Sequence, residues 1–402
     1  MSILRKVEYR LYPKKAQIEA LEGYCGMARW VYNQCLEAKK TAWEERGEHL
    51  TKGALEKLFT GWRNSEEHAW LQNYHSHAGQ VAIKRLDLAF KAFFRRLKSG
   101  ETPGYPRFKS KHRFCGFGLK EHSNGFKVET GAIRITGVGR IKTRGKARFK
   151  GEPKTCEIVK RADKWYASVS VELKALPVRK RTAEHQVGID WGVETFATVA
   201  KEDGSFDKVA NPRHLKAAQE DLKREQKKLS RCQKGSNRRA KQKLRVARLH
   251  LKVANRRKDF LHQSTARQVA AYRSIAVEKL SPKRMSAKGS GKGKKALNRG
   301  ILDAAAGQYH RFLDYKAEEA GSRIHQIDTL REKPSQTCHV NGTRKKKKLS
   351  ERVHVLPDGR TIGRDENAAR VLLKLSQGWE PSRRGEPSVE GSKNRETVSR
   401  AA

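Results

Sequence analysis

The sequence predicts a multidomain α+β protein: a small antiparallel β-barrel carrying a helical insertion, followed by a mixed α/β domain. Three observations predict it. Helical periodicity fills residues 13–99, short alternating runs punctuated by Gly and Pro fill 100–182, and from 186 onward three strand patterns precede helix, strand, helix, strand and helix.

Residues 3–12, ILRKVEYRLY, alternate with the period of a strand. No partner strand lies nearby in sequence, so this strand is expected to join the later β region. Residues 1–12 and 100–182 then form one β domain, and 13–99 is an insertion. Within the insertion, Ile18, Leu21, Cys25, Ala28, Tyr32 and Cys35 fall three or four residues apart, on one helix face. A second amphipathic helix covers 77–98, with Ile83, Leu86, Phe90, Phe93, Phe94 and Leu97 on its apolar side. Lys84, Arg85, Arg95 and Arg96 lie among the polar residues and are candidate phosphate contacts. In the β region, FKVET, AIRITGV, CEIVKRA and KWYASVSVEL read as strands.

QVGIDWG is a short buried strand, and TFATVAKEDGSFDKVA reads as two strands about a turn at Asp203 and Gly204. Residues 212–262 read as a basic helical hairpin broken at Gly235, with Leu215, Leu222 and Leu229 at heptad spacing. SIAVEKL (274–280) is a further strand. The Gly- and Lys-rich run after it is expected to be mobile. A helix at about 300–320, a strand at 322–328 and a helix starting near Asp365 follow, and 376–402 is expected to be disordered.

The 402 residues carry a formal charge of +46, and 36% are hydrophobic. Such an excess disfavours a compact state unless polyanions neutralise it, and phosphate backbones are the natural neutraliser. The basic residues run through the whole chain, unlike the single basic face of a membrane-surface helix. No stretch of about 18 apolar residues is present, and the N-terminus lacks a signal-peptide core. The expected location is the cytosol. The six cysteines form no CxxC pair, so no disulfide framework is expected.

The order from 186 onward is that of an RNase H-like domain: an antiparallel meander, then parallel strands joined by helices. Asp190 lies within GIDWG, Glu278 ends IAVEKL, and Asp365 opens a helix. If the first and fourth strands are neighbours, Asp190 and Glu278 project from one edge and the last helix brings Asp365 beside them. Three gathered acids repel one another and are tolerated around cations. Paired Mg²⁺ or Mn²⁺ ions suit oxygen ligands and would serve phosphodiester hydrolysis. Each acid also has an ordinary explanation: Asp365 as a helix cap helped by Glu366, Glu278 as a surface acid. Asp190, in a buried strand, is harder to explain that way.

At these residues the chain resembles the TnpB/OrfB family of transposon-encoded, RNA-guided DNA endonucleases. The three family nuclease motifs resemble GIDWGVETFATV (188–199), AVEKLS (276–281) and GRDENAARV (363–371), and 298–321 is also similar. The resemblance runs from residue 1 to about 375. It implies a RuvC-like nuclease domain at 183–375, with Asp190, Glu278 and Asp365 as metal-binding catalytic acids. It also implies a wedge-like role for the β domain, a recognition role for 13–99, a guide RNA, and double-stranded target DNA read beside a short flanking motif. The expected location is the bacterial cytosol, nucleoid-associated when DNA is bound. Protein partners, oligomeric state, guide sequence, flanking motif and cut pattern are not readable.

Two departures stand out. The family carries a four-cysteine zinc site before its third motif. Here the ribbon at 333–362 keeps only Cys338; Asn341 replaces one cysteine, and 356–359 reads LPDG. One thiolate cannot build a tetrahedral zinc site, so zinc is not expected. His339, His354 and Asp358 are other donors, but adjacent Cys338 and His339 rarely reach one metal together. Val371 also replaces the last Asn of the third motif. The competing readings are a nuclease-silent or decayed RNA-guided DNA-binding protein, repressor-like, and a generic basic RNA-binding protein. A tyrosine transposase would need a Tyr nucleophile near a His pair, and no such cluster is evident.

Overall fold

The computed structural model describes residues 3–111, 114–145, 151–175, 185–287, 292–348 and 350–381. The chain divides into two compact units, Met1–Leu176 and Pro177–Ala402.

In the first unit, β1 (Ile3–Tyr12) leads into α1 (Lys15–Arg46), α2 (Lys52–Asn64) and α3 (Ser76–Lys98). Seven strands follow: β2 (Gly116–Leu119), β3 (Glu121–His122), β4 (Gly125–Glu129), β5 (Ala132–Ile135), β6 (Gly139–Arg144), β7 (Glu152–Arg161) and β8 (Lys164–Leu173). The sheet order is β2-β7-β8-β1-β6-β5-β4-β3. β1 therefore joins the later strands, pairing antiparallel with β8 (Val7 opposite Val169) and β6 (Leu11 opposite Thr143). Its alternation places Val7, Tyr9 and Leu11 in the core. The sheet is open, not the closed barrel expected: among the described residues no ladder joins β2 to β3. Lys120 alone separates β2 from β3, and the two pair with different neighbours, β2 with β7 and β3 with β4. Helices and sheet share one core, in which Tyr24 of α1 stacks on Phe117 of β2 at 4.6 Å.

The second unit opens with β9 (Gln186–Trp191), β10 (Thr195–Lys201) and β11 (Phe206–Ala210). Then come α4 (His214–Ala217), α5 (Gln219–Ser230), α6 (Asn237–Ala271) and β12 (Ser274–Glu278). They are followed by α7 (Pro282–Met285), α8 (Lys292–Ala304), α9 (Ala306–Ala320), β13 (Arg323–Ile327) and α10 (Thr329–Glu332). The hairpin β14 (Val353–Val355) and β15 (Thr361–Gly363) precedes α11 (Arg364–Ser376). The sheet order is β11-β10-β9-β12-β13. β9 to β11 form an antiparallel meander, while β12 runs parallel to both β9 and β13. Val187 and Ile189 on one face of β9 share a core with Leu261 of α6 and Tyr309 and Leu313 of α9.

α5 and α6 form the expected basic hairpin. Gln242 donates to the Glu225 carbonyl at 3.0 Å, and Arg239 donates to the Leu229 and Cys232 carbonyls at 2.9 Å, fixing the tip. Three expectations change. The helix expected at 300–320 is two helices, because Ala305 takes a left-handed turn (φ 54°) that ends α8 and starts α9. Part of the Lys-rich run expected to be mobile is the start of α8, where Lys294 and Asn298 donate to the carbonyls of Met285, Ser286 and Ala287. At the C-terminus, Trp379 is buried beneath Lys374, so order extends past 376; residues 382–402 lie outside the described part.

Candidate active site

The GID sequence folds as it does because its two faces meet different partners. Residues 188 and 190 project from the face of β9 opposite Val187 and Ile189, by strand alternation. On that face α11 packs against Gly188 so closely that a Cβ there would lie 2.0 Å from the Ala369 carbonyl oxygen. Glycine therefore lets the helix lie flush on the strand, and Asp190 emerges on the helix side two residues further on.

Glu278 follows from register. Ile189 of β9 pairs in parallel with Val277 of β12. Asp190 and Glu278 are each one residue further along, so they leave neighbouring strands on one face, about 4.8 Å apart at the backbone. Asp365 follows from the helix cap. Gly363 precedes the helix, and Glu366 reaches back to accept its amide proton at 3.0 Å. Glu366 also pairs with Lys208 at 2.7 Å. Capping is thus the work of Glu366, and Asp365 is not used for it.

Asp190, Glu278 and Asp365 line one cavity of about 710 Å³. All three are half-buried, reaching water through that cavity. Burial first, then the neighbouring carboxylates, push the Asp190 carboxyl well above its ordinary value, with Arg364 opposing. The same causes, burial and then Asp365, raise Glu278 to about 7. Glu278, raised to about 7, is poised to exchange a proton for a cation near neutrality, and the upward shift of Asp190 favours the same exchange. The donors are all hard oxygens, which fit Mg²⁺ or Mn²⁺. Among the described residues no three acidic or soft ligands converge on one point. Water and phosphate oxygens would complete the coordination of any cation these acids held.

The walls are basic. Arg213, Lys216, Arg299, Arg352 and Arg364 line the cavity. Arg213 is held in the left-handed region (φ 46°), its amide donating to the Asn211 side chain at 3.1 Å. Such strain in a non-glycine residue is kept where surrounding structure enforces it. Two further acids line the cavity and both are engaged: Arg257 donates to Asp303 at 2.6 Å and the Leu215 amide at 2.8 Å, and Glu194 pairs with Arg352 at 3.1 Å.

Sequence reasoning missed Gly188, Asn367 and Arg370. Asn367 is fully buried; it donates to the Thr337 carbonyl at 2.7 Å and meets His339 Nδ1 at 2.9 Å. Arg370 lies over the Phe206 ring at 4.7 Å and donates to the Gly204 carbonyl. They tie α11 to the ribbon and to the β10–β11 turn. Asn367 was within the quoted third motif, and its polarity on a core-facing helix position was the available signal. Val371 is fully buried; six residues past Asp365, it lies about 240° around the helix, away from the acids.

The ribbon does not fit zinc. Cys338 is buried, but His339 is engaged by Asn367, and the exposed Asp358 pairs with Arg360 at 2.6 Å. Lys347 meets His354 Nδ1 directly, and burial first, then Lys347, push the His354 imidazole down to about 4. A fixed ammonium beside these donors opposes a metal cation. Of the proposed phosphate contacts in the first unit, Lys84, Arg95 and Arg96 are exposed. Arg85 instead donates to the Gly116 carbonyl at 3.1 Å and approaches Glu157 at 3.6 Å.

Comparison with known proteins supplies the class. Residues 168–288 match the OrfB family model described as "Probable transposase", and 307–372 match one described as a Cas12f1-like TNB domain. Residues 1–48 match one described as a helix-turn-helix domain, although here they form one strand and one long helix. A Streptomyces pristinaespiralis protein described as "Putative RNA-guided DNA endonuclease" is 30% identical over 376 residues, covering 92% of this chain and 89% of its own. InsQ of Escherichia coli, described in the same words, is 29% identical over 387 residues, covering 93% and 92%. The fold is similar to Cas12f1 solved in a complex with single guide RNA and target DNA, with a TM-score of 0.58 at 11% identity over 92% of this chain and 98% of that one. The chain belongs to the TnpB/OrfB family.

Proposed function

We propose that this chain is a transposon-encoded, RNA-guided DNA endonuclease. It cuts double-stranded target DNA next to a short flanking motif, and its second unit is an RNase H-like, RuvC-like nuclease domain. One observation carries the reading: three carboxylates from β9, β12 and α11 line a single cavity with basic walls. Kinship with proteins described as RNA-guided DNA endonucleases supports it, as does the net charge of +46. No helix among the described residues is long and apolar enough to cross a membrane, which accords with action on cytosolic DNA.

Asp190, Glu278 and Asp365 would hold divalent metal, Mg²⁺ or Mn²⁺, which would supply Lewis-acid activation of water and stabilisation of the leaving oxygen. Glu278, raised to about 7, would give up its proton as it takes up that charge. Arg213, Lys216 and Arg299 draw the phosphodiester into the cavity and hold it over the acids. Glu366, pairing with Lys208, keeps the first turn of α11 in place so that Asp365 faces the cavity.

The test is cleavage of a plasmid library by protein co-expressed with its own downstream sequence. The library carries a guide-matched target beside randomised bases. Loss of one short flanking motif, abolished by Asp190→Ala, is the expected result. Target binding without cutting would instead identify a nuclease-silent binder.

A further inference from the structure

The first unit contains a second cavity, of about 560 Å³, between α1, α3 and the loop 104–109. Its volume lies within the roughly 300–1,000 Å³ of small-ligand sites. Its walls are aromatic: Tyr32, Phe93, Tyr105 and Phe108. Tyr105 and Phe108 are 47% and 48% exposed, unusually open for rings that could have joined the core below them. Near-perpendicular contacts from Phe90 at 5.5 Å and Phe93 at 5.4 Å hold the Tyr105 ring. The remaining polar walls are cationic, Arg96, Arg107 and Lys109, and no acid lines the cavity. Lys40 lies over the Phe108 ring at 5.7 Å.

The loop is fixed in place. The Asn33 side chain of α1 accepts from the Lys109 amide at 2.8 Å and donates to the Lys109 carbonyl at 3.1 Å. A ligand entering here does not have to order the loop first.

Flat rings beside unopposed cations fit a planar base joined to a phosphate. We propose that this pocket seats one unpaired nucleotide of the guide RNA, its base against Tyr105 and Phe108 and its phosphates on Arg96, Arg107 and Lys109. The inference rests on the RNA-guided reading above. RNA is favoured over target duplex because folded RNA offers unstacked bases in loops and bulges, whereas a duplex base must first be flipped out at a cost.

The experiment measures affinity of the full chain for its own guide RNA, with the wild type, Tyr105→Ala, Phe108→Ala and Phe108→Trp. Each alanine variant is expected to weaken binding about 5- to 150-fold, the span of base–aromatic stacking, and Phe108→Trp to retain it. Photo-crosslinking should join one unpaired guide nucleotide to the loop. Making that nucleotide abasic should weaken the wild type and leave Phe108→Ala little changed. Because Phe108 is half exposed, its alanine variant should unfold at the wild-type temperature. Unchanged RNA affinity in both alanine variants overturns the pocket while leaving the guided reading intact. Crosslinks only to target DNA overturn the assignment to RNA. A wild-type chain that binds no guide RNA overturns both readings.

Discussion

Replacing Gly188 with alanine tests how the cavity is assembled. The new Cβ would stand 2.0 Å from the Ala369 carbonyl oxygen, 2.6 Å from the Leu373 amide nitrogen and 3.0 Å from Leu373 Cβ. The two nearest atoms are backbone of α11, so no side chain can swing away. Real Cβ atoms essentially never approach closer than 3.0 Å. The helix must therefore withdraw by at least the difference, 3.0 minus 2.0, or 1.0 Å. Overpacking of this kind costs about 1–3 kcal/mol, and in a unit of this size lowers the unfolding temperature by about 2–4 °C per kcal/mol. α11 carries Asp365 in its first turn, and misplacing a catalytic group by about 1 Å can cost roughly 100-fold in rate. The assay is single-turnover cleavage of a guide-matched plasmid well below the unfolding temperature, beside thermal unfolding. Gly61→Ala, where nothing lies within 4 Å of the new atom, is the control and should be neutral or stabilising by up to about 1 kcal/mol. If Gly188→Ala acts through Asp365, the double variant with Asp365→Asn is no slower than Asp365→Asn alone. Wild-type stability and rate in Gly188→Ala would refute the account of the GID motif. A stability loss with an unchanged rate would show that α11 packing does not set the position of Asp365.

Three further outcomes follow from the charges. Asp190→Asn removes a buried charge and one of three mutually repelling acids, so it should abolish cleavage and yet raise the unfolding temperature of cation-free protein at pH 8 by about 2–4 °C, roughly 1 kcal/mol; a destabilised variant would show that neither burial nor repulsion disfavours the charged carboxylate here. The Glu278 carboxyl rises from 4.5 to about 7 on folding, so its stability contribution is full below pH 4.5 and is lost as pH rises through 7. Added Mg²⁺ should therefore raise the unfolding temperature more at pH 8 than at pH 6, and equal shifts would exclude proton–cation exchange at this site. In the ribbon, the Lys347 ammonium stands among the donors, so elemental analysis of purified protein should find no stoichiometric zinc; chelation should stop cleavage, and Mg²⁺ alone should restore it.

Parts of this design are legible from the sequence because they obey local periodicity. Alternation identified β1 as a strand with no close partner, and element order set β9 beside β12. The second, expected as a condition and present in the structure, brings Asp190 and Glu278 together on neighbouring strands. What alternation cannot show is which strands the short β2 and β3 pair with: one residue apart in the chain, they join β7 and β4 respectively. Capping was ambiguous for a similar reason. Asp365 and Glu366 both suit a helix start, and only the backbone at Gly363 decides which of them turns back. The break at Ala305 carries no Gly or Pro signal. Arg85 looks like its neighbours on a basic helix, and only tertiary contact with Gly116 and Glu157 distinguishes it.

The placement of the three acids has three separate causes. The parallel register of β9 and β12 sets Asp190 against Glu278. The missing side chain at Gly188 sets how near α11 comes. Glu366, Asn367 and Arg370 set how α11 is held once there, through the helix start, the ribbon and the β10–β11 turn. Each of the short motifs thus combines one acid with neighbours that position an element. In this chain the ribbon still reaches α11 through Asn367 and His339, contacts that need no metal. The support that the ribbon gives α11 therefore runs through Asn367 and His339 and does not call on bound zinc. That separation lets the carboxylate cavity keep the wall that α11 supplies in a chain whose ribbon has Cys338 as its one cysteine.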